Sequence, residues 1–574
     1  MAIFVTNPDC LQKYIWNTPS PWSPPLVLPL TGMDRRKFAI QFSAACLLAS
    51  FFLTLTFIAA KVQIDYFDVF NTLSNAKTIA YGQGPYEIRR FLFPSLIHAP
   101  WFWIESHFQW EGLGFRASHL MNILFFVAWM GIVLNIYRKR LSAEWALGGV
   151  IALAFLPLFI HYAPSAKEDL LSALLVWGAF AFYFRRQYIY AGLTSGFAIA
   201  SRYNLLVLLS VFFVLHGFLR KEKRPLLPLL SVSATVFLGL PLIIYPFIHH
   251  SSLSGALPDF LWELTLLYRH HYTGFQPYFI FFQFLNLGLA LPLLTLVAWA
   301  ITCYLRAKKR DEVFEFHALW ALVYVAYHAF FQPGKEVRYL FPVLPSLVFL
   351  AFSGLHAISW RWARVAILSL LIVHGGIRAG KEFLKYLDPF YFTAFEKQVS
   401  LRAKAIAENG KIYWLGKYYG MHPKEAVLHP EDHYGYLYHF HSHVVRFFSE
   451  RPVQEWMGDD YILPVSGEKR KWISVPGVGA FAKSGDVFII NTDEHNTLTE
   501  DITPTLPPLY IQRIRLFSTI KGIPDGIYEW YGRETASSPW KFSSRVQISG
   551  EKIVTQPKPF RENLFLDFDL IETF

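Results

Sequence analysis

The stretch FQPGKEVRYLFPVLPSL, residues 331–347, sets Lys335, Glu336 and Arg338 between two apolar runs at about 315–332 and 338–358. Both runs are apolar enough to read as membrane spans, so the three charges stand at the mouth of a membrane helix. Ionisable groups at such a depth are costly and are functional candidates by default. Two cations at a helix start can hold a phosphate, with free amides and the helix dipole adding to the attraction. The same three residues could instead form an ion-paired cap that anchors the span at the interface.

The composition supports a membrane setting. Of the 574 residues, 17% are charged, against roughly 25% in soluble globular domains. A span needs about 20 mostly apolar residues. Eleven candidates meet or approach that length, at about 38–60, 117–137, 142–162, 168–184, 189–201, 203–219, 226–248, 278–305, 315–332, 338–358 and 362–379. The fifth and sixth share Arg202 at their boundary. The expected fold is therefore a polytopic α-helical membrane protein.

Its net charge of +11 does not argue for nucleic acid, because the cations sit in short clusters between the apolar runs. These are Arg35/Arg36/Lys37, Arg138/Lys139/Arg140, Arg185/Arg186, Arg220/Lys221/Lys223/Arg224, Arg306/Lys308/Lys309/Arg310 and Arg361/Arg364. They fall at every second boundary, which by the positive-inside rule makes all six cytoplasmic. The N-terminus is then inside, and the long C-terminal region outside. The outward loops hold Asp65, Asp68, Glu87, Glu168, Asp169, His270, His271 and Glu336, so the chemistry is expected on the outer face. The first 32 residues lack a basic start and do not read as a cleaved signal peptide. Met33 stands directly before a basic cluster and an apolar run, which leaves Met1 and Met33 as alternative starts.

From about residue 380 no long apolar run occurs. Short alternating stretches such as KIYWLG, DVFIINT, GIYEWYG, RVQISG and NLFLDFDL predict a mixed α/β or mainly β domain, at 381–574. No cysteine falls in it, which excludes a disulfide framework there. His439, His441 and His443 alternate and would share one face of a strand. That face could hold zinc, or could be an aromatic and His-rich interface strand; no carboxylate or Cys completes a metal set in an obvious way, and no metal site is expected.

The first outward loop is QIDYFDVFNTLSNAKTIAYGQGPYEIRRFLFPSLIHAPWFWIESHFQW, residues 63–110. Asp65 and Asp68 stand three apart, neighbours on a helix surface just outside the first span. A carboxylate there can take a proton from an incoming hydroxyl, or it can serve as a helix cap. Arg89 and Arg90 suit bidentate phosphate contact, or a surface ion pair. The WFWIESHFQW run predicts an aromatic helix lying in the membrane interface.

This loop resembles the first luminal loop of glycosyltransferase family 22, the lipid-phosphate-mannose-dependent mannosyltransferases of the GT-C superfamily. That family carries His-Pro-Asp-Glu-x-Phe-Gln, then Ala-x-x-x-Ala-Tyr-Gly, then Trp-Glu, then Arg and a proline-containing turn; here DVFN, AKTIAYGQG, YE and RRFLFPSL follow in that order. In register with AKTIAYG, Asp68 falls at the family's Glu, Phe67 at its Asp and Asp65 at its His, so the acidic pair is rearranged. The family's late run His-Lys-Glu-x-Arg-Phe-x-x-Pro-x-x-Pro is similar to GKEVRYLFPVLP, with Gly334 in place of the His and Lys335, Glu336, Arg338, Pro342 and Pro345 matching.

The resemblance, which covers about 38–380, implies an inverting transfer of a sugar, mannose in the first place. The sugar would pass from a polyprenyl- or dolichyl-phosphate donor to a glycolipid or glycan acceptor on the outer face. Asp68, or Asp65, would be the base. Lys335, Arg338, Arg202, Arg89 and Arg90 would hold the donor phosphate. Glu336, Glu87, Glu168, Asp169, Arg269, His270 and His271 would contact substrate. The scheme calls for no cofactor and no metal. The partners are the bilayer, the lipid-linked sugar and the acceptor, and the setting is a bacterial inner membrane ahead of the endoplasmic reticulum. A related GT-C enzyme using another lipid-linked sugar or a protein acceptor is the alternative. A lipid or solute transporter would also explain many spans, but the sequence has no internal repeat and no paired broken helices.

Overall fold

The computed structural model of the chain describes residues 35–62, 67–82, 92–220, 226–249, 290–307, 311–331 and 337–385. Beyond those it describes 397, 400, 401, 404, 412–415, 442–450, 453–455, 461–462, 469–470, 487–491, 509–519, 526–532, 541–549, 552–554 and 563–573. The chain divides into two compact units: Met1–Ala60 with Asn75–Leu384, and Lys61–Ser74 with Lys385–Phe574.

The first unit is helical. Its elements begin with α1 (Arg35–Lys61), the end of α2 (Phe67–Ala80), α3 (Leu92–Phe108), α4 (Leu113–Tyr137), α5 (Ala143–Ala154) and α6 (Pro157–Tyr162). They continue with α7 (Glu168–Phe184), α8 (Tyr188–Ser201), α9 (Leu205–Arg220), α10 (Leu226–His249), α11 (Ala290–Ala307) and α12 (Glu312–Phe330). A 3-10 turn (Val337–Leu340), α13 (Leu344–Ala357) and α14 (Arg361–Lys385) complete it. Among the described residues, Gln41–Lys61, Leu113–Tyr137 and Glu312–Phe330 are long and apolar enough to cross a membrane, and several shorter apolar helices accompany them.

Proline rewrites two expected spans. The 142–162 run is two helices, because Pro157 offers no N–H and holds Leu156 extended at φ −61°, ψ 130°. The 338–358 run starts as the 3-10 turn and becomes α-helical only at Leu344, with Pro345 in the first turn of α13. Both interruptions lie beside the candidate site.

Aromatic rings fill the core. Trp129, Trp177 and Trp320 are fully buried. Phe180 meets Phe316 and Trp320 edge-on at 4.8 and 5.0 Å, the arrangement that ring quadrupoles favour. Helices α8 and α10 approach through glycine: a Cβ on Gly192 would lie 2.7 Å from the Leu229 carbonyl oxygen, and one on Gly196 would lie 2.5 Å from Val236 Cβ. The outer side of α9 exposes Val207, Val211, Val214, Leu215, Phe218 and Leu219, an apolar strip suited to lipid.

Charged residues gather by kind. Arg140 pairs with Asp311, Arg220 reaches Glu315 at 3.5 Å and Glu312 at 3.9 Å, and the Lys139 ammonium lies 5.4 Å from the Phe184 ring. Lys139 and Arg140 after α4 and Arg220 at the end of α9 thus meet the start of α12 and the end of α7 at one end of the bundle. The aromatic helix α3 exposes Trp103 and Phe108, and its Glu105 carboxylate accepts hydrogen bonds from the amides of Gly112 (3.0 Å) and Gly114 at the start of α4.

In the second unit the C-terminal residues form an eight-stranded sheet. Its strands are β1 (Ile412–Leu415), β2 (Val453–Glu455), β5 (Val487–Asn491), β6 (Leu509–Thr519), β7 (Gly526–Gly532), β8 (Lys541–Ser549), β9 (Lys552–Val554) and β10 (Asn563–Thr573). A separate pair joins β3 (Tyr461–Ile462) to β4 (Lys469–Arg470). The sheet order is β2-β1-β5-β10-β6-β7-β8-β9, parallel across β2-β1-β5 and antiparallel beyond. The strand expected through His439, His441 and His443 needs correcting at its end. His443 belongs to a helix, α15 (Ser442–Ser449), because SHVVRFFS places Val444, Val445, Phe447 and Phe448 at helical spacing. His439 and His441 lie outside the described residues. In the same unit, Phe70 of α2 packs on Phe447 and Phe448 at 5.2 and 5.4 Å.

Candidate functional site

Three separate segments of the first unit deliver charge to one point. The first is the start of α7, where Lys167 is the cap residue and Glu168 and Asp169 form the first turn. The second is Arg202, extended at φ −154°, ψ 108° between α8 and α9. The third is the 3-10 turn carrying Arg338 and Tyr339. Glu168, Asp169, Arg202 and Arg338 are all buried. These four, expected from sequence to bind phosphate or substrate, come together.

Asp169 is the centre. One carboxylate oxygen pairs with Arg202, and the other faces Nη1 of Arg338 at 3.8 Å. The Tyr339 ring adds a second bridge, its centroid 4.4 Å from the Arg202 guanidinium and 5.4 Å from that of Arg338. Two like charges are thereby held close by an anion and an aromatic face. Burial works against the charge on Arg202, but Asp169, with Tyr339, Glu168 and Tyr324 adding to it, more than offsets burial and holds the guanidinium's pKa above its ordinary value. With both carboxylates ionised, the three cations Lys167, Arg202 and Arg338 leave one positive charge in excess of Glu168 and Asp169. An arrangement of this kind can receive a phosphodiester anion, with arginine offering the bidentate geometry.

Sequence reasoning missed the groups that hold these charges. The indole N–H groups of Trp177 and Trp320 both donate to the Pro342 carbonyl at 2.9 Å, taking both of its lone pairs. Tyr324 donates to the Tyr339 carbonyl, and Tyr137 to that of Pro345. The proline-interrupted entry to α13 is therefore pinned by four aromatic donors from α4, α7 and α12. On the other side, the Asn122 amide faces the carbonyls of Tyr162 (3.3 Å), Ala163 (3.2 Å) and Ser165 in the buried loop leading into Glu168. A buried loop needs such partners for its backbone. Asn122 was legible as one of two amides, with Asn135, in the apolar run 117–137, and the four aromatics only as hydrophobes with polar tips.

Asp68 lies on α2, and its side chain is outside the described residues, as are Asp65, Glu87, Arg89, Arg90, Arg269, His270, His271, Lys335 and Glu336. Among the described residues, no three His, Cys, Asp or Glu side chains gather to hold a metal ion.

No family model and no curated protein matches the chain. Solved structures do. ArnT from Cupriavidus metallidurans superposes with a TM-score of 0.56 in its undecaprenyl phosphate complex and 0.55 in the apo state, at 15% identity over 83% of this chain and 96% of that one. The apo oligosaccharyltransferase from Archaeoglobus fulgidus matches with a TM-score of 0.50, at 11% identity over 83% of this chain and 74% of that one. The chain thus shares its helical fold with ArnT and with this archaeal oligosaccharyltransferase.

Proposed function

We propose that the chain is an inverting membrane glycosyltransferase that moves a sugar from a polyprenyl- or dolichyl-phosphate donor to a glycolipid or glycan acceptor. The observation that carries this reading is the buried Asp169–Arg202–Arg338–Tyr339 cluster, an anion receptor with one excess positive charge. The ArnT structure with bound undecaprenyl phosphate supports a lipid-carrier ligand for this fold. The family 22 likeness of GKEVRYLFPVLP supports mannose as the sugar and adds Lys335 and Glu336 to the cluster. The reading keeps eleven crossings, the six basic clusters in the cytoplasm and the cluster on the outer face, in a bacterial inner membrane.

In this scheme Arg202 and Arg338 hold the donor phosphate and orient the anomeric carbon. Asp68 or Asp65 takes the proton of the acceptor hydroxyl as its oxygen attacks that carbon from the face opposite the phosphate. The carbon–oxygen bond to phosphate breaks, the new glycosidic bond forms with inverted configuration, and the two guanidiniums stabilise the departing lipid phosphate. Glu168 and the groups Arg89, Arg90, Glu87, Arg269, His270 and His271 are assigned to the substrate contacts around this centre.

The test is transfer of radiolabelled mannose from undecaprenyl-phosphate mannose to native membrane extract by the purified protein and by Asp65→Asn, Asp68→Asn, Lys335→Ala and Arg338→Ala. Label should move with the wild type, be lost in one of the aspartate variants and fall with either cation variant. Folded wild-type protein that consumes no mannosyl or glucosyl lipid donor would overturn the reading.

A further inference from the structure

Helix α2 carries unused hydrogen-bonding capacity beside the candidate base. Asn71 follows Asp68 by one turn, and Ser74 follows Asn71 by another, so each position neighbours the next on the helix surface. Asn71 is fully buried and Ser74 is 4% exposed. Neither Oδ1 nor Nδ2 of Asn71, nor Oγ of Ser74, has a hydrogen-bond partner among the described residues.

That pattern differs from that of six other helical hydroxyls among the described residues, though buried Ser195 shares it. Thr54, Thr56, Ser118, Thr194, Ser201 and Ser353 all turn back onto the carbonyl one turn earlier in their helices. Ser74 does not. A buried amide with both atoms unpaired is a standing cost to the fold, and leucine would fill the same space without that cost. Of the adjoining residues Val69, Phe70 and Leu73 are buried and apolar, while the buried Thr72 and Asn75 carry interactions of their own that Asn71 and Ser74 lack.

We infer that Asn71 and Ser74 form a subsite for the hydroxyl groups of a sugar ring. This rests on the glycosyl-transfer reading. The amide offers a donor and an acceptor, and the serine hydroxyl can act as either. Neighbouring sugar hydroxyls present this same mixture, whereas a lipid tail presents neither part of it and an ionised phosphodiester presents acceptors only. Both side chains are closed to solvent, so the sugar reaches them only when the packing over this face of α2 opens. The ring belongs either to the donor or to the acceptor, and the chemistry of recognition is the same.

The experiment uses full-length protein in lipid nanodiscs, as wild type, Asn71→Leu and Ser74→Ala. Three quantities are measured: the thermal midpoint, the kcat and KM for each substrate, and the Kd for undecaprenyl phosphate with and without mannose. Both variants should keep or raise the midpoint while kcat/KM falls tenfold or more, with bare undecaprenyl phosphate binding within twofold of wild type. A residue with only a structural role could not produce that combination. Weakened binding of the mannosyl lipid assigns the ring to the donor; a KM rise confined to the acceptor assigns it to the acceptor. An active wild type whose two variants both stay within threefold sinks the subsite alone. So does an equal loss of bare undecaprenyl phosphate binding, or a midpoint that falls in Ser74→Ala. A wild type inert toward the lipid donors sinks the glycosyl-transfer reading and the subsite with it.

Discussion

Asp169→Asn preserves the shape of the side chain and removes the charge that two guanidiniums share. Arg338 Nη1 is 3.8 Å from the Asp169 carboxylate. Opposite unit charges at that distance attract by about 4 kcal/mol at an effective dielectric near 20. The net loss from this pair is smaller, because the amide oxygen still accepts a hydrogen bond and Tyr339 still faces both cations. Arg202 loses its partner in the same substitution, however. Breaking a buried pair costs about 3–5 kcal/mol because a charge is left uncompensated. A double-mutant cycle isolates the Arg338 part. Asp169→Asn and Arg338→Gln should each destabilise, and the double variant should fall short of their sum by about 2 kcal/mol, within the range seen for residues in direct contact. Denaturant midpoints of the purified protein measure this. Undecaprenyl phosphate should also raise the thermal midpoint of Asp169→Asn more than that of the wild type, since its phosphate replaces the missing anion. Additivity to within about 0.5 kcal/mol, together with equal lipid stabilisation of both proteins, would refute the claim that Asp169 clips the two cations at a phosphate site.

Tyr339→Phe should leave donor KM within about twofold and Tyr339→Leu should raise it about fivefold, because the ring face supplies roughly 1 kcal/mol to the guanidiniums; steady-state kinetics on both variants checks this. Gly354→Ala would place a Cβ 2.2 Å from the Leu296 carbonyl oxygen, so α11 and α13 must separate, at a cost of about 1–3 kcal/mol read as a lower thermal midpoint. Burial pushes His98, on α3, down to about 3, with His119 adding to the shift. The unfolded imidazole titrates near 6.5, so the unfolded chain takes up the proton first. The His98 contribution is then complete above about pH 6.5 and is lost on acidification at up to about 1.4 kcal/mol per pH unit until about pH 3. His98→Gln should flatten the stability profile between about pH 6 and 4 relative to wild type; an unchanged slope there would contradict the burial argument.

Some of this architecture was legible in one dimension because membrane physics writes it there. Apolar runs marked the helices, and Lys139 and Arg140 after α4 lie at the same end of the bundle as Arg220 at the end of α9. Arg202 stood out as a cation at the seam of two apolar runs, and it proves to be the residue between α8 and α9. Other features were hidden for identifiable reasons. The 142–162 and 338–358 runs looked continuous, because hydropathy does not register that Pro157 removes an N–H or that Pro345 delays a helix. Residues 439–443 alternated like a strand, yet His443 joins a helix whose apolar positions lie further on. The donors to Pro342, Tyr339 and Pro345 come from residues between 15 and 208 positions away, and no local pattern pairs them.

The largest change of meaning concerns Asp169. In sequence it is one of two adjacent carboxylates at an outward helix start, a natural contact for substrate. In the fold its two carboxylate oxygens face Arg202 and Arg338, and under the proposed function that gives it the work of assembling the receptor. Two buried arginines would repel each other and bind water in place of ligand without an anion between them. With one carboxylate they stay close and still leave charge to spare, which suits a singly charged phosphodiester better than a more highly charged nucleotide. The rigidity of that receptor comes from neutral groups: two indoles on one carbonyl, two phenols on two more, and one amide against three. Each of the four aromatic donors is an apolar body with a single polar tip, and the amide is neutral, which is how an apolar core can position charges without importing further charge to do it.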